Sequence, residues 1–295
     1  MSSLSKYKVS DLDLPSPLIC LNHPQSTLFE AIDVLSEKHL LSVPILDSSN
    51  STLIGMLDCL DIVAYTVRNA AEKLVDAPLD QVMGLARDGA KPAEVGLDTP
   101  LDKVAGIISG PARRAVVVDA DGKAHSVITQ SGLLQFLYSK RAEIEAEKLN
   151  LTADDICTTS PLCVTMGQSA MSAFQAIHSG GVSSVAIVEE ETGKVVSVAS
   201  ATDLVVGLSR MTDKAKDLQS LEDMSILDLI SSNRQLDHKA KAATVSVRPD
   251  ESLERILEKL AKTRVHRVMV CAEGRKPHGV LSLTDVCKVV AESKP

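Results

Sequence analysis

The chain has 295 residues, 44% hydrophobic and 24% charged, with a formal net charge of −8, the make-up of a globular protein with room for two ordinary domains. Three Tyr, three Phe and no Trp exclude the aromatic platforms on which single-stranded nucleic acid stacks and leave a core of Val, Ile, Leu and Ala. The acidic balance argues against binding along a phosphate backbone, so any phosphate held here must meet a local basic cluster.

The opening residues, MSSLSKYKVS, have no apolar stretch of signal-peptide type, and no run reaches the roughly 18 apolar residues of a membrane span. A cytoplasmic, or nuclear, soluble protein is expected, with no nucleic-acid or membrane partner. Six cysteines (Cys20, Cys59, Cys157, Cys163, Cys271, Cys287) are scattered without a C-x-x-C pair or a His at zinc spacing. They read as small buried hydrophobes in a reducing compartment, and no metal site is expected.

In chain order, Thr27 opens a helix whose apolar stripe is Leu28, Ala31, Ile32 and Leu35. A β-type run at 43–46, turn residues at 48–51 and a second apolar run follow, with another helix starting at Asp61. Thr99 opens a weaker helix with Val104 and Ile107, then come strand 115–119, turn 119–123 and a closing helix at Gly132. Residues 141–150 read as a charged helical connector. Ser169 opens the third copy, with the stripe Ala170, Ala173, Phe174 and Ile177, strand 184–188, turn 190–194 and a closing helix at Asp203. The connector 211–241 carries an apolar segment, SILDLI at 225–230, which is expected to pack on the neighbouring repeat, with a partner-docking helix as the alternative. Ser252 opens the fourth copy, with Leu253, Ile256, Leu257 and Leu260, strand 268–272, turn 273–277 and a closing helix at Asp285.

The four copies keep one register. From the helix-opening hydroxyl to the strand start (Leu41, Arg113, Ser183, His266) is 14 residues each time, and the closing position follows 19 or 20 later. The expected order is helix, strand, strand, helix, an α/β (α+β) architecture with repeats over 1–75, 76–141, 150–212 and 213–295. Units this small cannot bury their own apolar face, so the copies should pair.

An Asp where a strand hands over to a helix can accept hydrogen bonds from both hydroxyls of a ribose, and a hydroxyl three residues earlier adds a contact. The pairs are Ser282 with Asp285 and Ser200 with Asp203; the first copy has Asp58 before Asp61, and the second has Thr129 before Gly132, which lacks a side chain. Capping of the closing helix is the plainer role for each Asp. At the strand start stand Leu41-Ser42, Arg113-Arg114, Ser183-Ser184 and His266-Arg267. The doublets of the even-numbered copies could converge on a phosphate if those copies face a shared centre. No P-loop, nucleophile elbow, dinucleotide fingerprint or His-x-x-x-His pair is present, so no catalytic residue is assigned and no enzyme is expected.

The unit with its closing G-x-x-[ST]-x-x-D turn resembles the cystathionine-β-synthase-type (CBS) domain, and four in tandem resemble two Bateman modules forming a disc. VSVRPDESLERILEKLAKTRVHRVMV and GVLSLTDVCKVV are similar to the last repeat of the gamma regulatory subunits of AMP-activated protein kinase. That resemblance implies ribose positions at Asp61, Asp203 and Asp285. It implies phosphate-facing positions at Arg113, Arg114, His266 and Arg267, and a pocket contact at Ser183. The implied ligands are AMP, ADP or ATP, with S-adenosylmethionine and NAD still open, and the implied partner is a kinase catalytic or scaffold subunit. The sequence departs from the family at Leu41, Arg113 and Asp58, which makes the Asp61 pocket the weakest. The alternative is a CBS-repeat adaptor, such as a phosphatase inhibitor, with vestigial pockets.

Overall fold

A computed structural model of the chain describes residues 4–49, 52–70, 73–86, 92–211, 215–235 and 244–291. The first repeat runs β1 (Leu21–Asn22), α1 (Leu28–Glu37), β2 (Ser42–Leu46), β3 (Leu53–Asp58) and α2 (Cys59–Arg68), and β4 (Leu74–Val75) follows it. The second is β5 (Ala93–Val95), α3 (Leu101–Ile108), β6 (Arg114–Val118), β7 (Ala124–Thr129) and α4 (Gln130–Ser139). Short elements α5 (Ala146–Leu149), α6 (Ala153–Ile156) and β8 (Thr158–Thr159) lead to the third: β9 (Cys163–Thr165), α7 (Ala170–Ser179), β10 (Ser184–Val188), β11 (Val195–Ser200) and α8 (Ala201–Ser209). After β12 (Ala215–Lys216), α9 (Gln219–Asp223) and α10 (Ile226–Gln235) comes the fourth: β13 (Ser246–Val247), α11 (Leu253–Thr263), β14 (Arg267–Cys271), β15 (Pro277–Ser282) and α12 (Leu283–Ala291).

Each repeat opens with a short strand absent from the sequence reading. β1, β5, β9 and β13 pair in parallel with the second strand of their repeat, which pairs antiparallel with the third. At two or three residues these strands are too short to show alternation. All four hairpins carry a register shift near the far end of the second strand, at Ile45/Leu46, Val117/Val118, Ile187/Val188 and Val270/Cys271.

All four closing helices and one opening helix start away from the expected position. The closing helices begin at Cys59, Gln130, Ala201 and Leu283, so Asp61, Asp203 and Asp285 stand in the first turn, with the hydroxyl or Asp58 in the capping place. An acidic side chain is favoured throughout that turn by the free amides and the helix dipole, so its presence does not mark the first residue. In the second repeat the N-cap is Pro100, because Thr99 turns its Oγ1 to the amide of Gly96 at 3.1 Å.

The chain divides into two compact units. One joins Met1–Leu18, Lys91–Pro161 and Thr244–Pro295, and the other joins Ile19–Ala90 and Leu162–Ala243. The first therefore holds repeats 2 and 4, with α3 and α4 packed on α12 and α4 on α11; the second holds repeats 1 and 3, with α1 and α2 packed on α8 and α2 on α7. Apolar side chains such as Leu101, Val104, Leu257 and Val286 fill one core, and Ile32, Ile62, Phe174 and Leu204 the other. Full burial of each such side chain contributes about 1.5–3 kcal/mol.

Linkers complete each unit by leaving their own repeat. Bridges join Lys8 to Pro100, Thr27 to Pro78, Thr152 to Ser252 and Ser169 to Ser225. The segment before repeat 1 thus docks on repeat 2 and the segment before repeat 2 on repeat 1; repeats 3 and 4 exchange theirs in the same way. SILDLI forms most of the apolar face of α10, whose Ile226, Leu229 and Ile230 are buried where it packs on α7 and α8. This is the packing role expected of it. Residues 50–51, 212–214 and 236–241 of the turn and connector read from sequence lie outside the described residues.

Candidate functional site

In every repeat the first residue of the second strand is the Cα partner of the last residue of the third: Ser42 with Asp58, Arg114 with Thr129, Ser184 with Ser200 and Arg267 with Ser282. Directly opposed residues project from the same face, about 4.5–5.5 Å apart at Cβ. This register brings the second basic residue of each even-numbered doublet beside the hydroxyl of the turn. The residue before it is held as well, since the carbonyls of Leu41, Ser183 and His266 accept the first amide of the closing helix, from Cys59 at 2.9 Å, Ala201 at 3.2 Å and Leu283 at 3.0 Å.

Arg113 breaks that pattern. Three residues before the strand, copies one, three and four place a left-handed residue, His39, Gly181 or Arg264. Pro111 holds that position in copy two, and its ring forbids positive φ. The left-handed turn shifts to Arg113 itself, at φ 54°, whose amide reaches back to the carbonyl of Gly110 at 3.3 Å. Arg114, 6% exposed, keeps the expected strand position.

The turns differ in what occupies their carboxylates. Asp285 Oδ2 accepts from the amide of Ser282 at 2.8 Å and its hydroxyl at 2.7 Å. Among the described residues its Oδ1 has no hydrogen-bond partner, and the residue is half-buried. Asp203 Oδ2 accepts the same two donors from Ser200 at 2.8 and 2.7 Å. Asp61 is 3% exposed, with Oδ2 on the amide of Asp58 at 2.9 Å and Oδ1 on the amide of Ala86 at 3.0 Å. Burial pushes the Asp61 carboxyl above its ordinary range, against the amides of Ala86, Asp58 and Gly84 and with added repulsion from Asp58. In copy two Thr129 Oγ1 caps Gly132 at 3.1 Å with no carboxylate present.

A small residue three positions before each capping residue, namely Gly55, Ser126, Ser197 and Gly279, lets an exchanged linker cross the third strand. Met83 lies over Gly55, Ser126 donates to the carbonyl of Pro15 at 2.9 Å, and Arg234 donates to Ser197 at 3.2 Å. Over Gly279 lies Cys157, and an added Cβ there would be 2.5 Å from its Sγ. The glycine of the G-x-x-[ST]-x-x-D pattern thus has a packing reason that inspection of the motif did not supply; recurrence of a small residue in all four copies was the available signal. In copy three Asn233 donates to the Asp203 carbonyl at 2.9 Å. Each turn therefore has one wall from its own hairpin and one from the linker of the sequence-adjacent repeat.

Sequence reasoning also missed Gln130. Its Nε2 donates to the Ile108 carbonyl at 2.7 Å and to Thr284 Oγ1 at 2.9 Å. That bond ties the Thr129–Gly132 turn to the Ser282–Asp285 turn. One unit carries Arg113, Arg114, His266, Arg267, Ser282 and Asp285; Asp61, Ser183, Ser200 and Asp203 lie in the other.

The repeat and its turn match a known family. The profile described as "CBS domain" fits residues 10–68, 153–210 and 241–292, more than half of the chain. The chain belongs to the CBS-domain family. The second CBS repeat, with Gly132 and the displaced Arg113, falls outside the matched ranges. Among curated proteins the chain is similar to the 5'-AMP-activated protein kinase subunit gamma of Kluyveromyces lactis, 27% identical over 88% of this chain and 81% of that protein. It is also similar to the SNF1-related protein kinase regulatory subunit gamma-like PV42b of Arabidopsis thaliana, 22% identical over 98% and 96%. Among solved structures, protein MJ1225 of Methanocaldococcus jannaschii superposes with a TM-score of 0.75 at 17% identity, covering 96% of this chain and 99% of that one. This likeness shows the tandem CBS fold. No helix among the described residues is long and apolar enough to cross a membrane.

Proposed function

We propose that this CBS protein is an adenine-nucleotide-binding regulatory subunit, of the gamma type, in a protein kinase complex. The observation that carries the reading is the fourth turn: Ser282 and its amide hold one Asp285 oxygen, leaving Oδ1 for ribose hydroxyls, with Arg267 opposite Ser282 and His266 beside the helix amide. Arg267, His266, Arg114 and Arg113 would supply the positive charge for phosphate. Asp203 with Ser200 and Ser183 would form a second pocket. Competition among AMP, ADP and ATP would shift the subunit between conformations that its kinase partner distinguishes. The two curated relatives, both named as kinase gamma-type subunits, support the partner class.

Calorimetric titration with each nucleotide tests this reading. Binding in the micromolar range is expected, lost or weakened at least about tenfold in Asp285→Ala and Arg267→Ala, each of which removes a charge-assisted contact of about 1.5–3 kcal/mol. A ligand at 100 times its Kd raises unfolding free energy by about 2.7 kcal/mol. Thermal stability unchanged across millimolar AMP, ADP and ATP would overturn the proposal. A second reading, an adaptor with vestigial pockets, is favoured by two copies: both Asp61 oxygens are already engaged, and Gly132 offers no acceptor. It requires binding to the kinase or phosphatase partner without any nucleotide dependence.

A further inference from the structure

We propose that Asp154, Cys157 and His278 form a binding site for a zinc-class transition-metal ion. Nothing in the spacing suggested it, since Cys157 and His278 stand 121 positions apart. The fold brings the three together. Their candidate ligand atoms all lie within 4.8 Å of one another, and His278 Nε2 is 2.6 Å from Asp154 Oδ1.

Two structural restraints hold the cluster. The helix α6 is anchored to the start of repeat 4, with the amide of Ala153 on the Glu251 carbonyl at 2.8 Å and that of Asp154 on the Pro249 carbonyl at 3.0 Å. Asp154 and Cys157, three apart at the end of this turn, therefore project together. β8 then pairs with β15, Gly279 opposite Thr159 and Val280 opposite Thr158, and the Ser160 amide donates to the His278 carbonyl at 3.1 Å. Gly279, lacking a Cβ, lets the Cys157 sulfur lie against the strand that carries His278.

The donor chemistry selects the ion. One sulfur, one imidazole nitrogen and one carboxylate oxygen suit zinc, cobalt or nickel, whereas calcium and magnesium prefer oxygen alone. A thiolate and a carboxylate balance a divalent charge while His278 binds in its neutral form. Three protein ligands leave a fourth tetrahedral position open to water or a bound molecule. Ligand atoms about 2.0–2.3 Å from a tetrahedral ion stand about 3.3–3.6 Å apart. The His278–Asp154 pair must therefore open from 2.6 Å, and any separation wider than the tetrahedral spacing, at most 4.8 Å, must close. Burial pushes the Cys157 thiol above its ordinary value, helped by the charges of Asp154 and of Asp285 in the nearby fourth turn, so an ion bound here must displace the thiol proton; its ligands are separate from those proposed for nucleotide.

The test is titration of the chelator-treated full chain with Co²⁺, read by absorption, followed by displacement with Zn²⁺. One equivalent should give the visible bands of tetrahedral cobalt and a thiolate-to-cobalt charge-transfer band, both bleached by Zn²⁺. Cys157→Ser should abolish the charge-transfer band, His278→Ala should weaken binding at least about tenfold, and Cys163→Ser should leave both unchanged. Metal-free melting of each variant, matched to that of the parent chain, separates ligand loss from misfolding. Absence of tetrahedral cobalt bands at one equivalent, or a thiolate band that persists in Cys157→Ser, overturns the assignment. Because the readout needs no nucleotide, a negative nucleotide titration leaves this result standing on its own.

Discussion

Replacing Gly279 by Ala probes the closest approach in the fourth repeat. The new Cβ would stand 2.5 Å from Cys157 Sγ, 3.0 Å from the Thr158 carbonyl oxygen and 3.3 Å from Cys157 Cβ. Contacts settle at about 3.5 Å or more, so even after the sulfur turns away β8 must withdraw by roughly 0.5 Å. Rotation of Cys157 relieves only the sulfur; the Thr158 oxygen is main chain and belongs to the β8–β15 ladder. Overpacking of this kind costs about 1–3 kcal/mol, and the better strand entropy of Ala returns about 0.5–1. A net loss of about 0.5–2 kcal/mol corresponds, over the unfolding entropy of a chain this long, to a Tm lower by roughly 1–3 °C. Scanning calorimetry reads this, with Gly55→Ala as the control, because its Cβ would meet only the flexible end of the Met83 side chain, Sδ at 3.0 Å and Cε at 3.7 Å. Hydrogen exchange at Thr158 and Thr159 should quicken in Gly279→Ala alone. Equal melting of the two variants, with unchanged exchange, would refute the claim that the exchanged linker requires a bare backbone at residue 279.

Gly106 lies in the exposed middle of α3 with open space around a would-be Cβ, so Gly106→Ala should raise stability by about 0.5–1 kcal/mol in denaturant titration. Gly132→Asp restores the missing acid in the second turn, where a Cβ sits 3.5 Å from Thr129 Oγ1; the carboxylate can take the Thr129 amide, as Asp203 and Asp285 take theirs. A gain of about 1 kcal/mol is expected by calorimetry. The Asp61 carboxyl has a folded-state pKa raised by burial, so its ionised form costs stability, and that cost is relieved as pH falls through the raised value toward about 3.9. Comparing wild type with Asp61→Asn in denaturant at pH 7 and pH 4 should show the balance moving toward wild type at the lower pH. A difference that is flat, or moves the other way, contradicts the burial argument.

Legibility varied among the copies for physical reasons. The stripe Leu253, Ile256, Leu257 and Leu260 is buried as read, since helical periodicity survives any tertiary arrangement. Asp285 and Ser282 were recognisable because the turn is local and its bonds run three residues apart. Arg113 looked equivalent to His266 by count, but Pro111 diverts the backbone before it. That correction needed only the rule that proline cannot adopt positive φ. Asp61 carries the same motif letter as Asp285, yet its second oxygen is taken by Ala86, 25 residues away. No local pattern contains such a partner.

The sequence by itself determined the repeat, the order of its two longer strands and two helices, the family, and the inequality of the four turns, because each depends on residues within about one period of one another. Tertiary structure alone decided that linkers trade places between adjacent repeats and that repeats 2 and 4 share a unit as repeats 1 and 3 do. It alone placed Gln130 on Thr284 and put Cys157 beside His278. Hydrophobic periodicity states that a face will be buried but not what will bury it, since apolar packing is non-directional and a partner segment is selected by the whole chain's closure.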